Sequence, residues 1–147
     1  NKQTSVLASG DIYKISIPKT GVYKIDYNFL SNINGLDINN IDPRKIHIYG
    51  NIGGPVQQLV SKMRSDDLSD NNIYIEGEND GKFDTQDYIL FYAEGADTYH
   101  FDNNDFDYLK NPYDLNNYFF IKVESEDGPR VQNINSLDNP EMIFELL

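Results

Sequence analysis

The amino-acid sequence predicts a mainly β fold, an antiparallel β-sandwich with one short helix near the N-terminal third of the chain. The chain contains about seven short segments rich in β-branched and aromatic residues, separated by stretches rich in Asn, Asp and Gly. Its apolar residues include 16 Ile and 19 Tyr or Phe but only three Ala, which suits sheets better than helix bundles. With 147 residues and no internal repeat or linker, residues 1–147 are expected to form a single domain.

Two alternating segments predict the first two strands. Apolar side chains alternate with polar ones in residues 13–17 and again in residues 23–27, which is the pattern of half-buried strands. Residues 18–21, between them, read Pro-Lys-Thr-Gly, and Pro and Gly supply the backbone angles that a short turn requires. The two strands are therefore predicted to pair as a β-hairpin.

A short helix is predicted after the second strand. Asp26 can cap its first turn, the helix would carry Phe29, Leu30 and Ile33, and an Asn-Gly pair at residues 34–35 is a stop signal. Further strands are predicted at residues 45–49, 73–75, 88–93, 118–123 and 142–146. Residues 97–117, whose aromatic side chains are diluted by Asp and Asn, are predicted to form an irregular excursion.

The charge and composition exclude several functional classes. The chain carries 24 acidic and 12 basic residues, a net charge of −12, which disfavours binding to nucleic acid or anionic lipid. It has no cysteine, which excludes disulfides, thiolate zinc sites and a cysteine nucleophile. The longest apolar run, residues 88–93, is far shorter than the roughly 20 residues of a membrane helix. Because the sequence has no initiating Met and no leader-like apolar stretch, we expect a domain excised from a larger protein.

Residues 76–87 resemble a calcium-binding loop of the EF-hand type. The candidate ligands are the carboxylates of Glu76, Glu78, Asp80, Asp84 and Asp87 and the backbone carbonyl oxygen of Lys82. Calcium takes six to eight oxygen ligands, and Gly81 permits the sharp bend that such a loop needs. The first and last positions, Glu and Asp, depart from the EF-hand pattern, and the flanks predict strands instead of helices. The alternative is a polar hairpin loop in which residues 79–81 supply only turn geometry.

The other side chains considered for chemistry or binding are two histidines and the aromatic residues. Neither His47 nor His100 has a His or Glu three or four residues away, so neither is predicted to bind metal or to catalyse a reaction. His47 lies between two isoleucines in the strand alternation and is expected to face solvent or a neighbouring element. Exposed aromatic rings can stack on sugars, which leaves glycan binding as an alternative. The apolar run at residues 118–121 predicts burial between layers or coverage by another domain.

Four ordered blocks of the sequence resemble the N-terminal, non-catalytic region of the type IX secretion sortases, a family of gingipain-like cysteine peptidases. The blocks are residues 9–15 (SGDIYKI), 20–27 (TGVYKIDY), 42–51 (DPRKIHIYGN) and 81–95, which contains GKFD and DYILFYAEG. None of these blocks is a catalytic motif.

The resemblance implies a parent protein at the outer-membrane surface. Such a parent removes C-terminal sorting domains from cargo and joins the cargo to an anionic lipopolysaccharide, using Cys and His as the catalytic pair. Since this chain has no cysteine, the nucleophile is expected downstream and the fragment is not expected to be an enzyme. The implied role is an accessory domain that positions the downstream peptidase domain, or that docks onto a PorV-type outer-membrane barrel or other type IX secretion components. The alternative function is a calcium- or glycan-binding β-module of a secreted surface protein.

Overall fold

A computed structural model describes residues 5–51, 67–102, 105–111 and 114–134 of the chain. Nine strands run through these residues: β1 Ile12–Ile17, β2 Gly21–Asp26, β3 Ile46–Gly50, β4 Ser69–Asp70, β5 Tyr74–Glu76, β6 Tyr88–Ala93, β7 Thr98–Asp102, β8 Asp105–Leu109 and β9 Asn117–Val123. The helix α1 spans Tyr27–Ser31, and single 3-10 turns lie at Ile38–Asn40, Pro43–Lys45 and Glu78–Asp80. The strand predicted at residues 142–146 lies outside the described residues. Within the described residues, no helix is long and apolar enough to span a membrane.

Two antiparallel sheets face each other across one hydrophobic core. Sheet A has the strand order β1-β9-β3-β4 and sheet B the order β2-β6-β5. The rings of Phe91 in sheet B and Phe119 in sheet A meet with centroids 5.9 Å apart. Ile48 and Ile121 of sheet A and Ile89 of sheet B are almost fully buried between the layers. The predicted fold class, a mainly β antiparallel sandwich with one short helix, is confirmed.

The hairpin predicted between the first two strands is wrong. β1 pairs with β9 and β2 pairs with β6, so residues 18–20 connect the two sheets instead of turning within one. The physical reason is burial, because Ile17 and Ile25 enter the same core from opposite sheets. The hydroxyl of Tyr23 donates a 2.6 Å hydrogen bond to the carbonyl oxygen of Lys19 and thereby fixes the corner. Pro and Gly predict a turn here, but they do not determine which strands pair.

The predicted helix is confirmed, although it is short. The carboxylate of Asp26 accepts a 2.9 Å hydrogen bond from the backbone N–H of Phe29, as an N-cap residue should. Leu30 points into the core and is fully buried. The helix ends at Ser31, and Gly35, at φ +89°, turns the chain toward sheet A.

The excursion predicted for residues 97–117 is instead largely regular. β7 and β8 pair antiparallel as a hairpin, with Tyr99 opposite Tyr108 and Phe101 opposite Phe106 in the register. The sequence signal is period two, because aromatic residues alternate with polar ones on both sides of an Asn-Asn pair in the sequence. The abundance of Asp and Asn concealed this alternation.

Candidate functional site

The carboxylates of the predicted calcium loop contact several different partners. Glu76 accepts a hydrogen bond from the hydroxyl of Tyr74. Glu78 Oε2 lies 2.8 Å from Nε of Arg130, with which it forms an ion pair. Asp80 Oδ1 accepts a 3.0 Å bond from the backbone N–H of Lys82. The loop therefore folds through hydrogen bonds to its own backbone and to neighbouring segments.

The last predicted ligand, Asp87, is buried and has a structural partner. It is 8% exposed, and its Oδ2 accepts a 2.7 Å hydrogen bond from the backbone N–H of Asp84. Its other oxygen lies against Gly77, where a Cβ atom would come within 1.9 Å of Oδ1. Gly77 has φ +88°, a conformation that favours glycine, so the sequence places glycine where both backbone and space demand it.

The loop does not gather its acidic side chains around one point. Among the described residues, no three His, Asp or Glu side chains form a group that could hold a metal ion. A calcium site would require Glu78 and Asp87 to exchange the partners that they have here. Calcium binding by residues 76–87 stays a prediction.

His47 lies on the outer face of sheet A, yet it is 5% exposed. Its Nδ1 lies 2.7 Å from Oδ2 of Asp70 on β4, and its Nε2 lies 3.2 Å from the carbonyl oxygen of Glu126. Its ring stacks on that of Tyr49, with centroids 5.9 Å apart. His47 therefore faces a neighbouring element, which is one of the two expected environments. Because both ring nitrogens are engaged and the ring is buried, His47 is not placed to act as a general base.

A chain of polar contacts continues from Tyr49 to the N-terminal segment. Tyr49 donates a 3.1 Å hydrogen bond to Glu124, and Glu124 forms a 2.9 Å ion pair with Lys122. Lys122 in turn donates to the carbonyl oxygen of Val6, at 2.9 Å. Burial, then the charge of Asp70, raises the pKa of the Tyr49 hydroxyl well above its usual range. The cluster holds the segments before β1 and after β9 against sheet A, which is a structural role.

The outer face of sheet B is open and rich in tyrosine. The register places eight side chains on this surface, which we call the tyrosine face: Val22, Lys24, Asp26, Tyr74, Glu76, Tyr88, Leu90 and Tyr92. Val22, Tyr92 and Tyr74 are 69%, 56% and 40% exposed, respectively. Tyr88 lies beside Tyr74, with ring centroids 6.4 Å apart, and the Lys24 ammonium lies 4.5 Å from the centre of the Tyr88 ring. Exposed apolar patches of this kind are typical of interaction surfaces.

The sequence contains a signal for the tyrosine face in the strand at residues 88–93. The run at residues 88–93 is apolar on both alternating sets of positions. One set, including Ile89 and Phe91, enters the core, whereas Tyr92, in the other set, stays exposed. A doubly apolar strand requires cover on both faces, and only one face is covered by the described residues.

The described residues thus define a small antiparallel β-sandwich in which the outer face of sheet B is open and rich in tyrosine. No family model matches the sequence, and no curated protein matches it. Among solved structures, the chain is similar to dimeric latent PorU from Porphyromonas gingivalis, known from a crystal structure. The two are 24% identical and superpose with a TM-score of 0.68. The similarity covers 95% of this chain but only 12% of the PorU chain, so it establishes a shared fold with one segment of a much longer protein.

Proposed function

We propose that this chain is a non-catalytic accessory domain of a type IX secretion sortase. The observation that carries the proposal is the match of nearly the whole chain to a 12% segment of PorU. The four sequence blocks that resemble the N-terminal region of this family support the same assignment. In this role the domain positions the downstream peptidase domain, or docks partners, while sorting signals are removed and cargo is attached to the surface.

The chemistry of the chain supports a role without catalysis. A cysteine peptidase needs a thiolate nucleophile, and the sequence contains no cysteine. His47, which is paired with Asp70 as a catalytic histidine would be, has its second ring nitrogen against the carbonyl oxygen of Glu126. Bond cleavage in such a sortase would therefore depend on residues outside this chain.

The tyrosine face is the surface that we propose for docking. Tyrosine is enriched at protein interfaces because its ring gives a large apolar contact and its hydroxyl still forms a hydrogen bond. Tyr74 and Tyr92 expose enough ring surface to become hot-spot contacts, each expected to contribute about 2 kcal/mol when buried. The partners that the sortase assignment suggests are the peptidase domain of the same protein and a PorV-type outer-membrane barrel. The cellular location would be the outer-membrane surface.

The test of the proposed function is made in the full-length parent protein. Tyr74→Ser with Tyr92→Ser removes the two exposed rings from the tyrosine face. We expect lower cargo processing, weaker surface retention of cargo and weaker association with the barrel partner. Leu115→Ser with Ile134→Ser is the matched control, because these side chains are 74% and 91% exposed at other positions. Unchanged processing, retention and association, even after deletion of the whole domain, would rule the accessory role out.

A glycan-binding module is the second candidate, and the tyrosine face supports it as well. Exposed rings stack on sugar rings, and Lys24 and Glu76 supply polar groups beside them. Titration of the chain with neutral and anionic oligosaccharides, followed by tyrosine fluorescence, separates the two candidates. Saturable quenching that Tyr74→Ser with Tyr92→Ser abolishes would favour glycan binding over protein docking.

A further inference from the structure

The two outermost strands on one side of the sandwich have open edges. β1 is the end strand of sheet A, next to β9, and β2 is the end strand of sheet B, next to β6. In the part of the chain that the structure describes, no strand pairs with the other side of β1 or β2. Each strand is six residues long. Unpaired N–H and C=O groups along such an edge form a template for an additional strand.

These two strands also carry a charge opposite to that of the rest of the molecule. Residues 12–26, which span both strands, contain Lys14, Lys19 and Lys24 and one acidic residue, Asp26, a charge of +2, so the other residues sum to −12 − 2 = −14. All three lysines are exposed. Within the described residues, none of them forms an ion pair. An acidic segment would therefore be attracted to this edge, and other parts of the surface would repel it.

The side chains favour β2 over β1 as the edge that takes a strand. Val22 of β2 is 69% exposed and stands opposite Tyr92, so apolar surface continues from the tyrosine face to the edge. Tyr23 faces the core but is only partly buried, whereas Phe91, its partner on β6, is 3% exposed. A strand beside β2 would cover Tyr23 with its inward side chains and bring its outward side chains next to Lys24.

We propose that the β2 edge binds an extended peptide segment in which acidic residues alternate with apolar ones. The apolar side chains of the segment pack toward Tyr23, and the acidic ones lie near Lys24 on the outer face. Main-chain hydrogen bonds supply affinity and the alternation supplies specificity, as in other cases of strand addition. This inference goes beyond the proposed function: it shares Val22 and Lys24 with the tyrosine face, but it concerns the main-chain edge of β2 and not the exposed rings.

Lysines on an open edge also deter pairing between copies of a protein. The experiment must therefore distinguish recognition of an acidic segment from protection against self-association. The probe is a blocked octapeptide that alternates Glu and Val, titrated into the ¹⁵N-labelled chain. We expect the amides of β2 to shift and to exchange more slowly with solvent. Lys24→Glu should weaken binding about five- to thirtyfold, since it turns an attraction near the strand into a repulsion. Lys82→Glu, which makes the same charge change in an exposed loop, should weaken it less than about twofold.

Any of the following outcomes would overturn the proposal. Equal binding of an octapeptide that alternates Lys and Val would show that charge does not select the segment. Protection outside β2, or no binding, would show that this edge is not the site. Protection of β2 that grows with protein concentration alone would identify a second copy as the occupant. Tyr74→Ser with Tyr92→Ser removes exposed rings but leaves the main chain of β2 intact. A failure of peptide binding at the β2 edge is therefore distinguishable from a failure of docking by the tyrosine face.

Discussion

The Nδ1 atom of His47 lies 2.7 Å from the carboxylate of Asp70, and on the other side of the ring Nε2 lies 3.2 Å from the carbonyl oxygen of Glu126. A carboxylate oxygen and a carbonyl oxygen are both hydrogen-bond acceptors, so the two ring nitrogens lie between two acceptors. The buried ring thus joins β3, β4 and the segment after β9 through these two polar contacts.

Asp70→Asn is predicted to destabilise the fold by about 1–2 kcal/mol. The amide keeps the shape of the side chain but replaces a carboxylate acceptor with a weaker, neutral one. Urea denaturation measures the change in the free energy of unfolding, and Asp107→Asn, on the exposed strand β8, is the matched control. Equal losses in the two variants would show that the contact between Asp70 and His47 does not stabilise the fold.

Arg130→Met is predicted to be more harmful, at about 2–3 kcal/mol. The guanidinium bonds Glu78 Oε2 at 2.8 Å and the carbonyl oxygens of Pro43 and Arg44 at 3.0 and 2.9 Å, so the substitution leaves several acceptors without a donor. Arg130→Lys should recover only part of the loss, because an ammonium group cannot bond all of these acceptors in one plane. Unfolding in urea checks both variants. An equal stability of Arg130→Lys and wild type would show that only the charge matters.

Gly77→Ala and Gly81→Ala form a matched pair that tests the packing of the loop. Both glycines have positive φ, at +88° and +76°, so alanine is strained at either position by about 1–2 kcal/mol. At Gly77 the new methyl group also meets Asp87 Oδ1 at 1.9 Å, whereas at Gly81 it meets only the end of the flexible Arg44 side chain, at 3.0 Å. We expect Gly77→Ala to cost about 2 kcal/mol more than Gly81→Ala. Urea midpoints of the two variants decide this, and similar midpoints would contradict the described position of Asp87.

The stability of the fold is predicted to fall in acid. The hydrogen bond from Lys122 holds the pKa of Glu124 below its usual value of 4.5, and a hydrogen bond from Arg44 likewise lowers the pKa of Asp42. A carboxyl group whose pKa is lower in the folded state stabilises the fold above its unfolded pKa, and this contribution is lost as the pH falls through the folded pKa. Urea midpoints should therefore decline below about pH 4.5. Lys122→Met should be less stable than wild type at pH 7, and the difference should shrink by pH 3. A difference that is constant with pH would show that the ion pair contributes nothing to the acid transition.

The layers of the sandwich could be predicted from the sequence because they depend on local periodicity. Alternation at residues 13–17 and 23–27 places strands correctly, and Asp26 correctly marks the start of the helix. Strand pairing could not be predicted, because it depends on partners 62–110 residues away, such as β6 for β2 and β9 for β1. A local turn signal cannot distinguish a hairpin from a connection between two sheets.

The candidate sites were likewise only partly predictable from the sequence. The glycines and acidic residues of residues 76–87 are visible in the sequence, but the Arg130 that pairs with Glu78 lies 52 residues further along. The tyrosine face likewise combines Val22, Tyr74 and Tyr92 from three strands. No single segment shows that these residues share a surface, since the register of sheet B brings them together.

The last prediction concerns calcium binding by residues 76–87, because contacts of this loop would have to break before an ion could bind. To bind an ion, Glu78 would have to leave Arg130, and the buried Asp87 would have to leave the N–H of Asp84, with a cost of about 1 kcal/mol for each lost hydrogen bond. We therefore expect no heat on titration with millimolar calcium and no difference in melting temperature between calcium and chelator. The comparison protein is Asp80→Asn with Asp84→Asn, which removes two loop carboxylates. If calcium raises the melting temperature of the wild type but not of this variant, the loop binds calcium as its spacing predicts, since a ligand that binds only the folded state must stabilise it.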